Sequence, residues 1–224
     1  MLNRKDLERI QADLKNYDVT REKVFEASRS ATRFSGWAIV QIHRQDMKAA
    51  DETLKKAKTT LTILDKLLDS CSELGSAPNV IVAYQEYTEA KLLQGIVSNG
   101  KLLSQKQVGV EVLPYLLGIL DFIGELRRMA LNHLRKGEAT EAEKTLALME
   151  AVYEDLYSLD HTAIIPTFRH KMDIARKLIE STRGDVVTET RRLSLENTIK
   201  NLKDILTRTK GLKLDRTASK SLTL

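Results

Sequence analysis

The sequence predicts an all-α protein that folds as a single-domain bundle of about seven helices. The chain has only 10 glycines and 3 prolines in 224 residues, about half of their usual share, so few positions interrupt a helix. Apolar residues recur at intervals of three and four along most of its length, which is the period of a helix with one buried face. No useful stretch alternates with the period of two that indicates a strand. We expect this domain to span residues 1–209.

Most of the predicted helices have recognisable end signals. Asp18, Ser76 and Ser104 are candidate N-caps, because short polar side chains accept hydrogen bonds from the free N–H groups of a first turn. Gly100 and Gly137 are candidate C-terminal stops, since glycine adopts the left-handed conformation that closes a helix. The segments that carry the helical period are, in order, 3–16, 20–45, 47–70, 78–98, 105–135, 138–159 and 185–209.

Three places depart from this regular pattern. Pro114 falls inside the fifth segment, where it either kinks the helix or marks the true start nearby. Residues 160–171 are the least helical internal stretch, and we expect a turn or an additional helix there. Residues 210–224 are polar and weakly patterned, which predicts a flexible tail.

Composition excludes several classes of protein. The longest apolar run, 112–120, is far shorter than the ~20 residues that cross a bilayer, so we expect no membrane partner. The beginning of the chain, MLNRKDLERIQADLK, lacks the apolar segment of a secretory signal, so we expect a cytoplasmic protein. Cys71 is the single cysteine, which excludes a disulfide framework and a multi-cysteine zinc site. A net charge of +5 permits a nucleic-acid partner without requiring one.

Two pairs of acidic residues stand where apolar residues are expected. Positions 82, 86, 89, 93 and 96 share one stripe of the helix over 78–98, and Glu86 and Glu89 interrupt that otherwise apolar stripe. Asp121 and Glu125 lie four residues apart within 105–135, among neighbours that are almost all apolar. The pattern predicts two pairs of carboxylates drawn out of water.

Four such carboxylates repel one another if they meet, by about 4 kcal/mol for two charges 4 Å apart at an effective dielectric of 20. Protonation, pairing with arginines such as Arg127 and Arg128, or a hard divalent cation would relieve the repulsion. Oxygen-only donors favour Mg²⁺, with Mn²⁺ as the alternative, over zinc. A di-iron centre of the Glu-x-x-His type is disfavoured, because no histidine lies within four residues of these acids. The same spacing also occurs on solvated helix faces, so spacing alone does not establish a metal site.

Basic residues form two groups that could neutralise phosphates. The first lies on the helix over 20–45, and the second in the C-terminal third of the chain. Such groups bind nucleic acid in a salt-dependent way that ignores sequence, although a solvated face balanced by Glu180, Asp185 and Glu189 fits equally well. Phe34, Trp37 and Phe168 are interpreted equally well as core residues or as stacking platforms. The candidate nucleic-acid contacts are Arg29, Arg33, His43, Arg44, Arg128, Arg169 and Lys171.

Three blocks of the chain resemble the translin superfamily, and specifically its Trax (translin-associated factor X) branch. The first is SRSATRFSGWAIVQIHR at 28–44, the second is QEYTEA at 85–90, and the third is PYLLGILDFIGELRRM at 114–129. The resemblance runs from about residue 20 to about residue 205. Members of this family are seven-helix subunits that assemble into closed octamers with a basic interior, so the resemblance implies the same fold and assembly here.

The resemblance also implies an activity. The Trax branch cleaves single-stranded RNA as a Mg²⁺-dependent endoribonuclease, and its catalytic, metal-binding acids correspond to Glu86, Glu89, Asp121 and Glu125. The translin branch lacks an intact set of these acids and mainly binds nucleic acid. The chain lacks the long insertion between the acidic blocks of eukaryotic Trax, and Pro114 replaces an acidic residue. We therefore expect a compact, archaeal or prokaryotic-type homologue that assembles with itself.

Three functions remain open at this point. The first is a metal-dependent endoribonuclease for single-stranded RNA in a homo-oligomer. The second is a noncatalytic protein that binds single-stranded RNA or DNA through its basic stripes. The third is an assembly module that uses only its apolar helix faces.

Overall fold

The computed structural model describes residues 3–159, 163, 165 and 167–218, with side chains as far as residue 207. These residues form seven α-helices and one short 3-10 helix, with no strand among them, which confirms the predicted all-α class. The helices are α1 (Arg4–His43), α2 (Met47–Ser70), α3 (Pro78–Asn99), α4 (Gln105–Val108), α5 (Val112–Arg135), α6 (Ala139–Tyr157) and α7 (Phe168–Ala218), and the 3-10 helix Ser72–Ser76 precedes α3.

The first two predicted segments are one continuous helix, so the prediction of a break at Asp18 is wrong. The carboxylate of Asp18 pairs with Arg21 at 3.1 Å, and the hydroxyl of Thr20 donates to the carbonyl of Asn16 at 3.0 Å. Both polar side chains therefore bond within the helix instead of ending it. Asn3 is the N-cap of α1, and its side chain accepts from the backbone N–H of Lys5 at 3.1 Å.

The fifth predicted segment is two helices. Ser104 caps α4 in a reciprocal capping box with Gln107, and Gly109 ends that helix with φ +74°. Helix α5 then starts at Val112, so Pro114 lies in its first turn, where no helical N–H bond is lost. Pro114 thus marks a start and not a kink.

The other end signals have mixed outcomes. Gly100 and Gly137 both adopt positive φ, at 63° and 77°, and close α3 and α5 as predicted. Ser76 is not a cap, because its hydroxyl donates backwards to the carbonyl of Glu73 at 3.2 Å. Ala77 takes the N-cap position of α3 instead, with no side-chain hydrogen bond.

The last helix begins earlier than the sequence indicates. Helix α7 starts at Phe168, well before the predicted start at 185. Its buried residues, which include Phe168, Met172, Ala175 and Ile179, recur every three to four positions, but charged residues between them mask this narrow stripe in the sequence. The backbone of 210–218 continues this helix, whereas 219–224 lie outside the described residues, so the flexible tail stays a prediction.

The packing of α3 against α5 is unusually close at one glycine. A Cβ atom on Gly118 would lie 2.7 Å from the Cβ of Thr88 and 2.8 Å from the carbonyl oxygen of Gln85. Helix α1 packs on α2 and α3, and α5 packs on α6 and α7. Three of the four acidic positions of α3 and α5 lie within one turn of the close approach at Gly118. In the residues that the structure describes, no helix has both the length and the apolar character to span a bilayer.

Candidate functional site

The structure brings the four predicted acids together between α3 and α5. Glu86 and Glu89 lie on α3, and Asp121 and Glu125 lie on α5. The charges of both α5 acids raise the pKa of Glu86 and of Glu89, so the two pairs are close enough to repel. We call these four residues the acid cluster. Their convergence follows from the interrupted apolar stripe, because the acids lie on the faces that the two helices bury against each other.

Glu89 is the most buried member of the acid cluster, with 8% of its surface exposed. Burial, followed by repulsion from Glu86, Asp121 and Glu125, raises its pKa to about 9. The carboxyl group therefore keeps its proton at neutral pH while no cation is bound. Burial also raises the pKa of Glu86, and repulsion from Asp121 adds to this effect. Neither glutamate side chain has a hydrogen bond or an ion pair within the described part of the chain.

Asp121 and Glu125 differ from the two glutamates of α3 because they have partners. The ammonium of Lys171 on α7 and the side-chain amide of Gln85 donate to different oxygens of the Asp121 carboxylate. His43 Nε2, at the end of α1, donates to Glu125, whose carboxylate also lies 3.6 Å from the guanidinium of Arg128. Both acids of α5 thus have partners, which come from α1 and α7 as well as from α3 and α5 themselves.

The structure changes the interpretation of two residues near the acids. Arg127, proposed as a counter-charge, points away and bonds Thr182 at 2.7 Å and Asp185 at 3.1 Å, so that expectation is wrong. Only Arg128 of this adjacent pair reaches the acid cluster. Gln85 was missed by sequence reasoning, although its place directly before Glu86 in QEYTEA was the available signal.

The acid cluster has the donor chemistry of a site for a hard divalent cation. All four side chains offer carboxylate oxygens, which Mg²⁺ and Mn²⁺ prefer, and those of Glu86 and Glu89 are free of partners in the described residues. Within those same residues, however, no three His, Cys, Asp or Glu side chains are arranged to hold one ion. A cation would therefore have to draw Asp121 away from Lys171 and Glu125 away from His43. The four carboxyl groups are thus suitable ligands for such an ion, although without it Glu89 is protonated and Asp121 is paired with Lys171.

The seven candidate nucleic-acid contacts fall into two groups. His43, Arg128 and Lys171 lie on the acid cluster itself, and the side chain of His43 is only 7% exposed. Arg29 and Arg33 lie on the exposed face of α1, with Arg33 about 15 Å along the helix from His43. The remaining two, Arg44 and Arg169, are exposed at the end of α1 and at the start of α7. Their role in binding stays a prediction.

A basic cleft opens beside the acid cluster, between the C-terminal ends of α1, α3 and α5 and the start of α6. His43 and Arg128 line it and also contact Glu125. Further basic residues that the sequence did not single out line it as well, because residues from separate helices meet there only in the fold. These are His133, Arg135, Lys136 and Lys144.

Comparison with known proteins places the whole arrangement in one family. A sequence model of the Translin family matches residues 19–181, a range that contains the acid cluster and Lys171. An uncharacterized protein of Methanocaldococcus jannaschii is 32% identical over 194 residues, which cover 84% of this chain and 85% of that relative.

Solved structures show the same fold. AfC3PO in complex with duplex RNA has 28% identity and a TM-score of 0.72, covering 84% of this chain and 97% of that one. The likeness to apo-NeC3PO, at 24% identity and a TM-score of 0.75 over 84% of this chain and 98% of that one, concerns the fold alone. Because the family model spans most of the chain and both acid-bearing helices, this chain belongs to the Translin family.

Proposed function

We propose that this protein is a metal-dependent endoribonuclease of the Trax type that cleaves single-stranded RNA. The observation that carries the proposal is the acid cluster, in which four carboxylates from α3 and α5 meet and two of them lack partners in the described residues. A purely structural role does not explain the arrangement. Glu86 and Glu89 lie beside two further acids and have raised pKa values, so their ionised forms destabilise the packing of α3 against α5.

Glu86, Glu89, Asp121 and Glu125 are the residues that would hold Mg²⁺ or Mn²⁺. The ion supplies activation of water and stabilisation of the charge on the scissile phosphate. With a cation bound, Glu89 would be ionised, its proton having gone to solvent, and one glutamate of the cluster would serve as general base. Lys171 and Arg128, which lie at the carboxylates of Asp121 and Glu125, would be placed to bind the oxygens of the phosphate.

RNA as the ligand and an assembly of several copies are parts of the same proposal. The related AfC3PO has been solved with duplex RNA, which supports RNA as the polymer; the preference for single strands is our inference. The first part of α1 and the last part of α7 expose apolar side chains in the single chain, which supports burial against further copies in an octameric shell. These side chains are Leu7, Ile10 and Leu14 on α1, and Leu195, Ile199, Leu202 and Leu206 on α7.

Substitution of the acids tests the proposal. We expect Glu89→Gln and Glu125→Ala to reduce Mg²⁺-dependent cleavage of an unstructured RNA oligonucleotide by at least about 100-fold, since each removes a charge from the reacting site. Glu154→Gln is the matched control, because Glu154 is an exposed acid on α6 with no ion pair among the described residues. Assembly size should be the same for all four proteins. Wild-type rates in both cluster variants contradict the proposal.

A noncatalytic protein that binds single-stranded RNA or DNA is the second candidate. It is favoured by the ion pair between Lys171 and Asp121 and by the lack of a ready three-ligand arrangement in the described residues. This candidate predicts binding that weakens steeply with salt and needs no magnesium. Shortening of RNA that stops when EDTA is added distinguishes the endoribonuclease from it.

A further inference from the structure

Trp37 is an exposed aromatic residue in the middle of a basic helix face. It is the single tryptophan of the chain, and 52% of its surface is exposed. Its ring meets Phe34 edge-on, with ring centroids 5.8 Å apart, and the guanidinium of Arg33 lies 5.8 Å from its centroid. A tryptophan whose role is only to fill the core is usually much more buried. The indole is therefore held in place by its neighbours while a large part of it remains available.

The residues around Trp37 form a continuous stripe along α1. Arg33, Trp37, Val40 and Arg44 follow one another at intervals of four, three and four residues, so their side chains lie on one face of the helix. We call these four residues the Trp37 stripe. Neither of its arginines has an ion pair in the part of the chain that the structure describes. One cation thus lies on either side of the indole along the helix, and neither is neutralised.

The Trp37 stripe leads into the basic cleft. Val40 and Arg44 line that cleft together with His43 and Arg128, and the last two contact Glu125 of the acid cluster. In contrast, Lys144 and His133 of the cleft are already paired, with Glu141 and Glu138. The stripe and the cleft therefore share Val40 and Arg44, and the cleft reaches His43 and Arg128, which contact Glu125.

We propose that Trp37 is a stacking platform for an unpaired nucleobase, with the adjoining phosphates on Arg33 and Arg44 and the strand continuing through the cleft towards Glu125. Aromatic side chains between cations are the general means of binding single strands, because every base has a face to stack and every nucleotide has a phosphate. A base inside a duplex has both faces covered by its neighbours. The inference rests on the proposed function, since it describes how the RNA reaches the acids.

A second copy of the chain packed on Trp37 is the competing explanation, and the charges disfavour it. Such an interface would bury Arg33 and Arg44, which have no ion-pair partner among the described residues, and an unpaired buried charge costs several kcal/mol. A phosphate-bearing strand neutralises the same two residues. The oligomeric state of a Trp37 variant separates the two explanations.

Binding of a single-stranded oligouridylate in EDTA, where no cleavage occurs, tests the inference. In the wild-type protein the fluorescence of the single tryptophan should be quenched as the oligonucleotide binds, since a stacked base quenches an indole. With a labelled oligonucleotide, Trp37→Ala should raise the Kd by roughly 5- to 100-fold, the usual effect of removing one stacked base. Trp37→Phe should bind almost as well as the wild type. Tyr157→Ala, which removes an aromatic residue that is 76% exposed on α6, should leave the Kd unchanged.

Three results would overturn the inference. They are an unquenched indole with a wild-type Kd for Trp37→Ala, a smaller assembly for Trp37→Ala in sedimentation, and no binding by the wild-type protein. The third also removes the proposed function. If Glu89→Gln abolishes cleavage while Trp37→Ala binds normally, only the stacking site is wrong. If Trp37→Ala weakens binding while Glu89→Gln cleaves normally, the stacking site stands and only the catalytic assignment falls.

Discussion

The acid cluster lies inside the bundle with desolvated charges, whereas the Trp37 stripe lies on the surface with its arginines unpaired. In the cluster, burial and repulsion hold the pKa of Glu89 at about 9, while Lys171 pairs with Asp121 and His43 bonds Glu125. In the stripe, Arg33 and Arg44 have no acidic partner among the described residues. The comparison shows one region in which acidic groups outnumber basic ones and another in which basic groups have no acidic partner. A divalent cation would complete the first, and a phosphate backbone would complete the second.

The pH dependence of stability gives the largest effect expected for the buried region. The raised pKa of Glu89 means that the unfolded chain loses this proton from about pH 4.5, while the folded chain keeps it until about pH 9. Below pH 4.5 Glu89 is protonated in both states and does not reduce the free energy of unfolding. Between pH 4.5 and 9 it reduces the free energy of unfolding, by at most about 1.4 kcal/mol for each pH unit. Glu89→Gln removes this penalty. In urea denaturation with EDTA, its gain over the wild type should be larger at pH 8 than at pH 5, and an equal gain at both contradicts the assignment.

The close contact between α3 and α5 gives the next largest effect. Gly118→Ala would place a Cβ atom 2.7 Å from that of Thr88, so we expect a loss of about 1–3 kcal/mol in the free energy of unfolding together with weaker cleavage as the two acid pairs separate. Gly124→Ala is the matched control on the same helix, because the nearest atom, Leu178 Cδ1, is 4.0 Å away. This control should be neutral or gain up to about 1 kcal/mol from helix propensity. Equal unfolding midpoints for the two variants refute the close contact.

Removal of Lys171 alters the charge of the cluster without removing an acid. Lys171 lowers the pKa of Glu86 and pairs with Asp121, so Lys171→Met should raise the pKa of Glu86 further and make the cluster bind Mn²⁺ several-fold more tightly. Titration calorimetry with Mn²⁺ measures this change. Lys177→Met serves as the control, because Lys177 is an exposed lysine on the same helix without an ion pair in the described residues. Unchanged or weaker Mn²⁺ binding by Lys171→Met would contradict the idea that Lys171 and the cation compete for the carboxylate of Asp121.

The smallest effect concerns the surface region. Arg44→Ala removes one unpaired cation of the Trp37 stripe, so the slope of log K against log salt should become shallower by about 0.7 for single-stranded RNA. Arg9→Ala, an exposed residue near the start of α1, should leave the slope as it is. The slope is read from oligonucleotide binding at several salt concentrations. Identical slopes for the two variants argue against a phosphate at Arg44.

The sequence predicted those parts of the molecule that local pattern determines. Helix α2 matches its predicted range of 47–70, and α3 ends one residue beyond its predicted range, because a clear apolar period defines both helices and Gly100 ends α3. The start of α7 was missed, since its narrow buried stripe is diluted by charged residues. The four acids were found because they interrupt apolar stripes, and a carboxylate on a buried helix face must lie against the neighbouring helix.

The partners of the acids were beyond the reach of the sequence. His43 and Glu125 are 82 positions apart, and only the packing of α1 near α5 joins them. Arg127 and Arg128 are adjacent and identical in chemistry, yet one bonds Asp185 on α7 and the other approaches Glu125. The two side chains leave the helix about 100° apart around its axis, and the position of the neighbouring helices determines which partner each one reaches.

A crystal structure of the protein soaked in Mn²⁺, with anomalous scattering from the metal, examines the acid cluster itself. We predict an anomalous peak bounded by Glu86, Glu89, Asp121 and Glu125, with Lys171 displaced from Asp121. The peak should vanish in Glu89→Gln crystals soaked in the same way. If the wild-type protein shows no anomalous peak at these four residues, or shows peaks only at other places, the proposal that they form a metal-dependent catalytic site is contradicted.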